Sequence, residues 1–305
     1  MSILGRSPRG GPTTGTGVAI VAFILVWASG FVVAKLAATD AEPLSFLLLR
    51  YLGVIALMTL LAWAGGARWP RGRELWHVAW VGILLQATYL GGVWVAIRQG
   101  MPAGLAALIV NLQPVLTVCL ATWAGERASR RQLLGVVIGF VGVVVLSGML
   151  VAILEGGGRL AAGVIPLALC VLALIAATLA VLYQKKHVSE VDARSSQAVQ
   201  FAASFVVTVP FALAFESFDV RFSRDVTVAL LWSVFVLSGI GMSLMLHLIR
   251  TGSVTRLTSS MYLVPGITAL MAWLMFDERL TWGIAIGMSI TLGGLYLVVR
   301  APARP

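Results

Sequence analysis

Apolar runs of about 20 residues, the length that carries a helix across ~30 Å of hydrocarbon, recur along nearly the whole chain with only short polar breaks between them. Ten can be traced: Gly17 to Leu36, Leu44 to Ala64, Leu75 to Ile97, Gly104 to Ala124, Gln132 to Leu150, Leu160 to Tyr183, Ser195 to Phe215, Val226 to Leu248, Leu257 to Phe276 and Trp282 to Val299. In lipid the backbone must satisfy its own hydrogen bonds, and continuous runs of this length do so as helices. The expectation is an all-α integral membrane protein of ten transmembrane helices, with no stretch left over for a soluble domain.

The polar inventory agrees. Charged residues make up 11% of the chain, about half the ~25% of a soluble domain, and the mean hydropathy is +0.97. The formal net charge of +10 sits in short connections and not on one amphipathic surface, which argues for topology and against a nucleic-acid partner. Cys119 and Cys170 both fall inside apolar runs, so neither a disulfide framework nor a metal cluster has its ligands. No cofactor or metal is expected. Residues 1–16 read as a flexible tail, and the run behind them as a retained helix because it lacks a small-residue cleavage site.

Ten spans place both termini on one side. With the N-terminus cytoplasmic, the 22 basic residues divide 15 inside to 6 outside, with Arg50 embedded in the second span. Lysine and arginine favour the cytoplasmic side, so both termini are expected there. The six outside residues are Lys35, Arg98, Arg159, Arg221, Arg224 and Arg279.

Internal repetition points to architecture independently of hydropathy. Ile97-Arg98-Gln99-Gly100 matches Ile249-Arg250-Thr251-Gly252, and Asn111 to Thr117 matches Tyr262 to Thr268 around Pro114 and Pro265. Each copy runs on into an acid-base pair, Glu126-Arg127 and Glu278-Arg279, and a helix containing Gly135 or Gly287. Five spans per copy is an odd number, so residues 17–150 and 160–300 are expected to be inverted repeats. Transporters built this way carry their substrate site near the midplane between the repeats.

The stretch Leu108 to Gly135, with Pro114, Gly125-Glu126-Arg127 and Gln132, its echo Pro265 to Gly287, the segment Trp27 to Lys35 and the pair Leu49-Arg50 resemble the paired EamA-like domains of the drug/metabolite transporter superfamily. Within it the chain is most similar to bacterial aromatic amino acid exporters. That resemblance implies a ten-helix inner-membrane protein exporting amino acids, with a cavity enclosed by the first, third, fourth, sixth, eighth and ninth helices. On those helices the polar and aromatic candidates for substrate contact are Trp27 and Ser29; Gln86, Tyr89 and Trp94; Asn111; Thr178 and Tyr183; Ser243 and His247; Ser259 and Tyr262. Aromatic walls with a few hydrogen-bonding groups suit a zwitterion with an apolar side chain. For each Trp or Tyr taken singly, an interfacial belt or helix packing is the competing reading.

Asn111 and Tyr262 each stand three residues before a proline, which lacks an N–H and frees a carbonyl one turn upstream. His247, with Gly239 and Ser243, forms a stripe at helical spacing that either faces the cavity or packs. Arg50 is read as a structural arginine in preference to a substrate contact, and Lys35 and Lys185 as interfacial anchors. No Asp or Glu lies in the middle third of any span, which favours a facilitator over an ion-coupled antiporter. Gly135, Gly139 and Gly142 and Gly283, Gly287 and Gly294 have small-xxx-small spacing, read as close packing within a monomer, with a dimer seam as the alternative. Export of another small metabolite or drug, such as threonine, homoserine or a nucleoside, is the alternative on the same fold, and three further readings lack the residues they need. A sugar-phosphate antiporter would need several cavity cations. A membrane-embedded enzyme would need a catalytic cluster that no span contains. A channel would need a filter ring.

Overall fold

The computed structural model describes residues 14–123, 163–250, 261–278 and 282–300, with isolated positions between 131 and 142. The expected tail before residue 14 and Ser259 lie outside the described residues. We number the helices α1 (Thr14–Ala37), α2 (Pro43–Ala64), α3 (Arg73–Arg98), α4 (Ala103–Val110), α5 (Gln113–Trp123), α6 (Val164–His187), α7 (Ala193–Phe215), α8 (running through Arg224–Leu231, Trp232–Gly241 and Met242–Arg250), α9 (Val264–Phe276) and α10 (Trp282–Arg300). Apart from one bridge between Ala41 and Val220, the described residues contain no β structure. Six helices, α1, α2, α3, α6, α7 and α8, are long and apolar enough to cross a membrane, and α9 and the segment Ala103–Thr117 are shorter apolar helices.

Start and stop positions follow local chemistry. Pro43 opens α2, where its missing N–H costs nothing. The Asp192 carboxylate accepts from the Arg194 N–H at the start of α7, and the Ser223 hydroxyl accepts from Val226 N–H at the start of α8. The side chains turned outward are bulky and apolar: Trp63, Val164, Leu213, Phe215 and Leu274 are all exposed. In water such a surface would aggregate, whereas against lipid tails it is the expected exterior.

Two helices depart from regular α geometry at matching places. Ile83–Leu90 in α3 and Trp232–Gly241 in α8 are π-helical. In each, a hydroxyl bonds the carbonyl five residues back: Thr88 Oγ1 donates to Ile83 O at 3.1 Å and Ser238 Oγ to Ser233 O at 3.0 Å. The run expected as one span from Gly104 to Ala124 is broken at Asn111–Leu112, so that a new helix begins at Gln113. Pro114 is the cause, since its ring and missing N–H deny Val110 O its partner. A short 3₁₀ turn, Met261–Leu263, likewise precedes α9, which carries Pro265 at its first turn.

The connections meet at two opposite ends. At one end, the α1–α2 link lies against the α7–α8 link: Glu42 accepts from the backbone N–H of Ser217 and Asp219, Glu216 accepts from those of Leu44 and Ser45, and Arg98 donates to Ala38 O. Lys35 pairs there with Glu278 and sits 5.0 Å from the Phe276 ring centroid. The residue expected as an interfacial anchor is thus an ion-paired one, with a partner 243 residues away. At the other end, the α2–α3 link lies against the α6–α7 link: Ser195 Oγ donates to Arg68 O, Arg194 to Leu61 O, and Arg68 pairs with Glu74.

The helices between these ends touch closely. A Cβ on Gly82 of α3 would stand 2.4 Å from Gln200 O of α7, and one on Gly53 of α2 would stand 2.7 Å from Val234 of α8. Gly142 would meet Thr291 Oγ1 at 2.3 Å and Gly287 O at 2.9 Å. Gly142 of the expected fifth span thus packs against α10 within one chain.

Candidate functional site

The π-helical stretch of α3 carries two of the expected cavity residues, Gln86 and Tyr89. Widening the helix by one residue per turn rotates Gln86 and Tyr89 relative to the α-helical segments on either side. The Tyr51 hydroxyl of α2 donates to Gln86 O at 2.6 Å, and the Tyr51 ring meets Phe201 of α7 edge-on, centroids 5.5 Å apart. Beside Tyr51 is Arg50, 7% exposed. Its Nε is buried without a hydrogen-bond partner. Among the described residues no carboxylate pairs with it.

The other candidates are dispersed. Trp94 is buried and stacks on Phe46 at 4.7 Å, within the main apolar core. Trp27 is half-buried against Phe23. Ser29 accepts from Trp232 Nε1 of α8 at 2.9 Å and donates to Val26 O. Asn111 uses its Nδ2 to bond Ala107 O at 2.7 Å, holding the end of α4 where the helix breaks. Thr178 is fully buried and bonds Leu174 O. Tyr183 lies at the Arg68 end, its hydroxyl 2.6 Å from His77 Nδ1. His187 completes that group, stacked 4.7 Å from His77.

Ser243 and His247 are exposed. Ser243 lines a groove of about 370 Å³ between α2 and α8 with Leu57, Leu61, Phe235, Gly239, Ile240 and Leu244. The side chain of Tyr262 lies outside the described residues. Among the described residues no His, Cys, Asp and Glu groups come together as a metal-ligating set. Every described carboxylate lies in a connection or a helix's first turn.

Among the described residues the apolar membrane helices carry one buried cation, Arg50, and no metal-ligating cluster. The comparison with known families decides which arrangement this is: the model of the EamA-like transporter family matches residues 15–148 and again residues 164–300. The chain belongs to that family. It is a multi-pass membrane transporter.

EamA relatives with similar sequences span nearly their whole length. The chain is 27% identical over 290 residues to the "Uncharacterized transporter YvbV" of Bacillus subtilis (strain 168), covering 94% of this chain and 92% of that one. It is 24% identical over 291 residues to the "Uncharacterized inner membrane transporter YedA" of Escherichia coli (strain K12), with the same coverage. It is 25% identical over 298 residues to a "Probable amino-acid metabolite efflux pump" of the same strain, covering 93% of this chain and 94% of that one. A solved structure, titled as the crystal structure of a protein, superimposes with a TM-score of 0.61 at 18% identity, over 94% of this chain and 96% of its own, which speaks to the EamA fold alone.

Sequence reasoning passed over three buried polar residues. Gln200 is 2% exposed with an unpartnered Oε1, Ser233 is fully buried with an unpartnered Oγ, and Thr268 of α9 donates to Ala28 O of α1. The signal for Gln200 was present. It stands at the same place in α7 as Arg50 in α2, seven residues beyond the first helical residue in each, and extending the repeat alignment to these helices would have found it.

Proposed function

We propose that this EamA transporter exports neutral and aromatic amino acids from the bacterial cytoplasm by alternating access. Its ten membrane helices form two inverted five-helix repeats, residues 17–150 and 160–300. The observation that carries this reading is the correspondence of irregularities: π-helical segments in α3 and α8, and helix starts at Gln113 and Val264, each one residue before a proline. Irregularities are not dictated by hydropathy, so their recurrence in the same order supports a repeat. The end contacts support its inversion. The α1–α2 link meets the α7–α8 link at one end, and the corresponding α6–α7 and α2–α3 links meet at the other. A two-fold axis in the membrane plane relates contacts of that kind.

The excess of lysine and arginine assigns the Arg68 end, and both termini, to the cytoplasm. Relatives named as an inner-membrane transporter and an amino-acid metabolite efflux pump support the location and the cargo. Absence of a mid-span carboxylate among the described residues favours facilitated movement down the substrate gradient. The candidate substrate contacts are Trp27, Gln86, Tyr89, Trp94, Asn111, Thr178, Tyr183, Ser243, His247, Ser259 and Tyr262, in a monomer that needs no cofactor. Purified protein in liposomes loaded with labelled phenylalanine, threonine or a nucleoside tests it. Amino-acid efflux that is indifferent to a pH gradient is expected; nucleoside efflux alone, or strict dependence on the gradient, overturns the respective part.

A further inference from the structure

The guanidinium of Arg50 is chemically unfinished. A guanidinium offers five N–H donors and cannot shed its charge. In a membrane interior such a group is held by a carboxylate, by backbone carbonyls, or by water in a cavity. Arg50 is 7% exposed, its Nε has no hydrogen-bond partner, and no described carboxylate pairs with it. No described carbonyl accepts from it either. A structural arginine, locked to the helix, is thereby set aside, because nothing locks it.

What surrounds Arg50 selects the missing partner. Tyr51 follows it in α2 and is fully buried. The Tyr51 hydroxyl is already committed to Gln86 O. Gln86 and Tyr89 both lie on the π-helical segment, the kind of irregularity that recurs at functional sites. No second cation stands among the described mid-span residues: the remaining Lys and Arg lie at helix ends or in connections. One fork of positive charge beside neutral hydroxyls matches a singly charged, planar anion in bidentate fashion. A phosphate dianion would leave charge uncompensated.

We infer that Arg50 is the anion-binding residue of the transport site and takes the carboxylate of the substrate. The inference rests on the transport reading above and adds the group by which cargo is recognised. It predicts that the carboxylate is required, while the apolar side chain of the cargo is tolerated more broadly.

Thermal unfolding of the intact protein in detergent tests this separately from transport. The probes are L-phenylalanine, L-threonine and 3-phenylpropionate, which carry a carboxylate, and L-phenylalaninamide, which does not. Wild type is expected to melt at a higher temperature with at least one carboxylate probe and to be unmoved by the amide. In Arg50→Met the half-saturating carboxylate concentration is expected to rise about 10- to 100-fold, the loss of one or two charge-assisted hydrogen bonds. Without ligand, Arg50→Met is expected to melt no lower than wild type, since an unpaired buried charge is removed. Arg50→Lys keeps the charge without the fork and is expected to fall between the two. The inference is overturned if the amide stabilises as well as the acids, if no carboxylate stabilises wild type, or if Arg50→Met responds like wild type. It is also overturned if unliganded Arg50→Met melts several degrees lower, the mark of a structural arginine. Carboxylate-dependent stabilisation without any amino-acid flux in liposomes would leave Arg50 its role and remove only the proposed cargo.

Discussion

Lys35, in the last turn of α1, and Glu278, just past α9, form an ion pair that joins residues 243 apart in sequence. Glu278 also accepts from the Ala103 N–H at 3.4 Å, so one carboxylate ties together the ends of α1, α4 and α9. Both partners are partly shielded from solvent, which makes the pair stronger than an exposed one. Glu278→Gln is expected to destabilise this end by about 1–2 kcal/mol, read as a faster exchange of backbone amides at 100–104. A double variant, Lys35→Glu with Glu278→Lys, is expected to recover part of that protection.

The contact between Gly82 and the Gln200 backbone leaves no room for a methyl group. Gly82→Ala is expected to cost about 1–3 kcal/mol through overpacking, because backbone cannot give way as a side chain can. Gly53→Ala faces the Val234 side chain instead and is expected to cost less. Melting temperatures of the two variants in one detergent, compared side by side, check the order.

Asp192 sets a pH limit. Its hydrogen bonds with Arg194 hold its carboxyl below the ordinary 3.8. A carboxyl depressed in the folded state stabilises fully above its unfolded value, and the contribution disappears as pH falls through the folded one. Stability of wild type is therefore expected to decline below about pH 4 more steeply than that of Asp192→Asn. Near neutrality Asp192→Ala is expected to cost about 1 kcal/mol as a lost helix cap, measurable by thermal unfolding from pH 3 to 7.

Tyr183 fastens α6 to α3 through His77. Tyr183→Phe keeps the ring contacts and removes one hydrogen bond, worth about 1 kcal/mol. Crosslinking between cysteines placed at 75 and 186 is expected to fall in yield, reporting a looser Arg68 end.

Trp94 separates packing from recognition. It is stacked on Phe46 inside the core, so Trp94→Ala is expected to cost about 3–5 kcal/mol and to reduce the recovery of folded protein. Trp94→Phe is expected to fold and to transport, and flux assays on the two variants distinguish the contributions.

Hydropathy is a local property, and the features that depend on it were legible. The span expected from Leu44 to Ala64 is the helix Pro43–Ala64, and that from Ser195 to Phe215 is Ala193–Phe215. The interruption at Asn111–Leu112 was only half legible: Pro114 announced a disturbed helix, but the apolar run continues across it without a charged residue. The π-helical segments left no trace, since ILLQATYL and WSVFVLSGIG are as compatible with a regular helix. The site was less legible still. The partner of Lys35 stands 243 residues away, so the pair was not legible beside its reading as an interfacial anchor. The neighbours of Arg50 likewise belong to helices that only the fold brings together.

At Gly82 and Gln200 the backbones of α3 and α7 come so close that no side-chain carbon fits between them. Sliding one helix along the other would drive side chains into that gap, so the level of this contact fixes the register of the two helices.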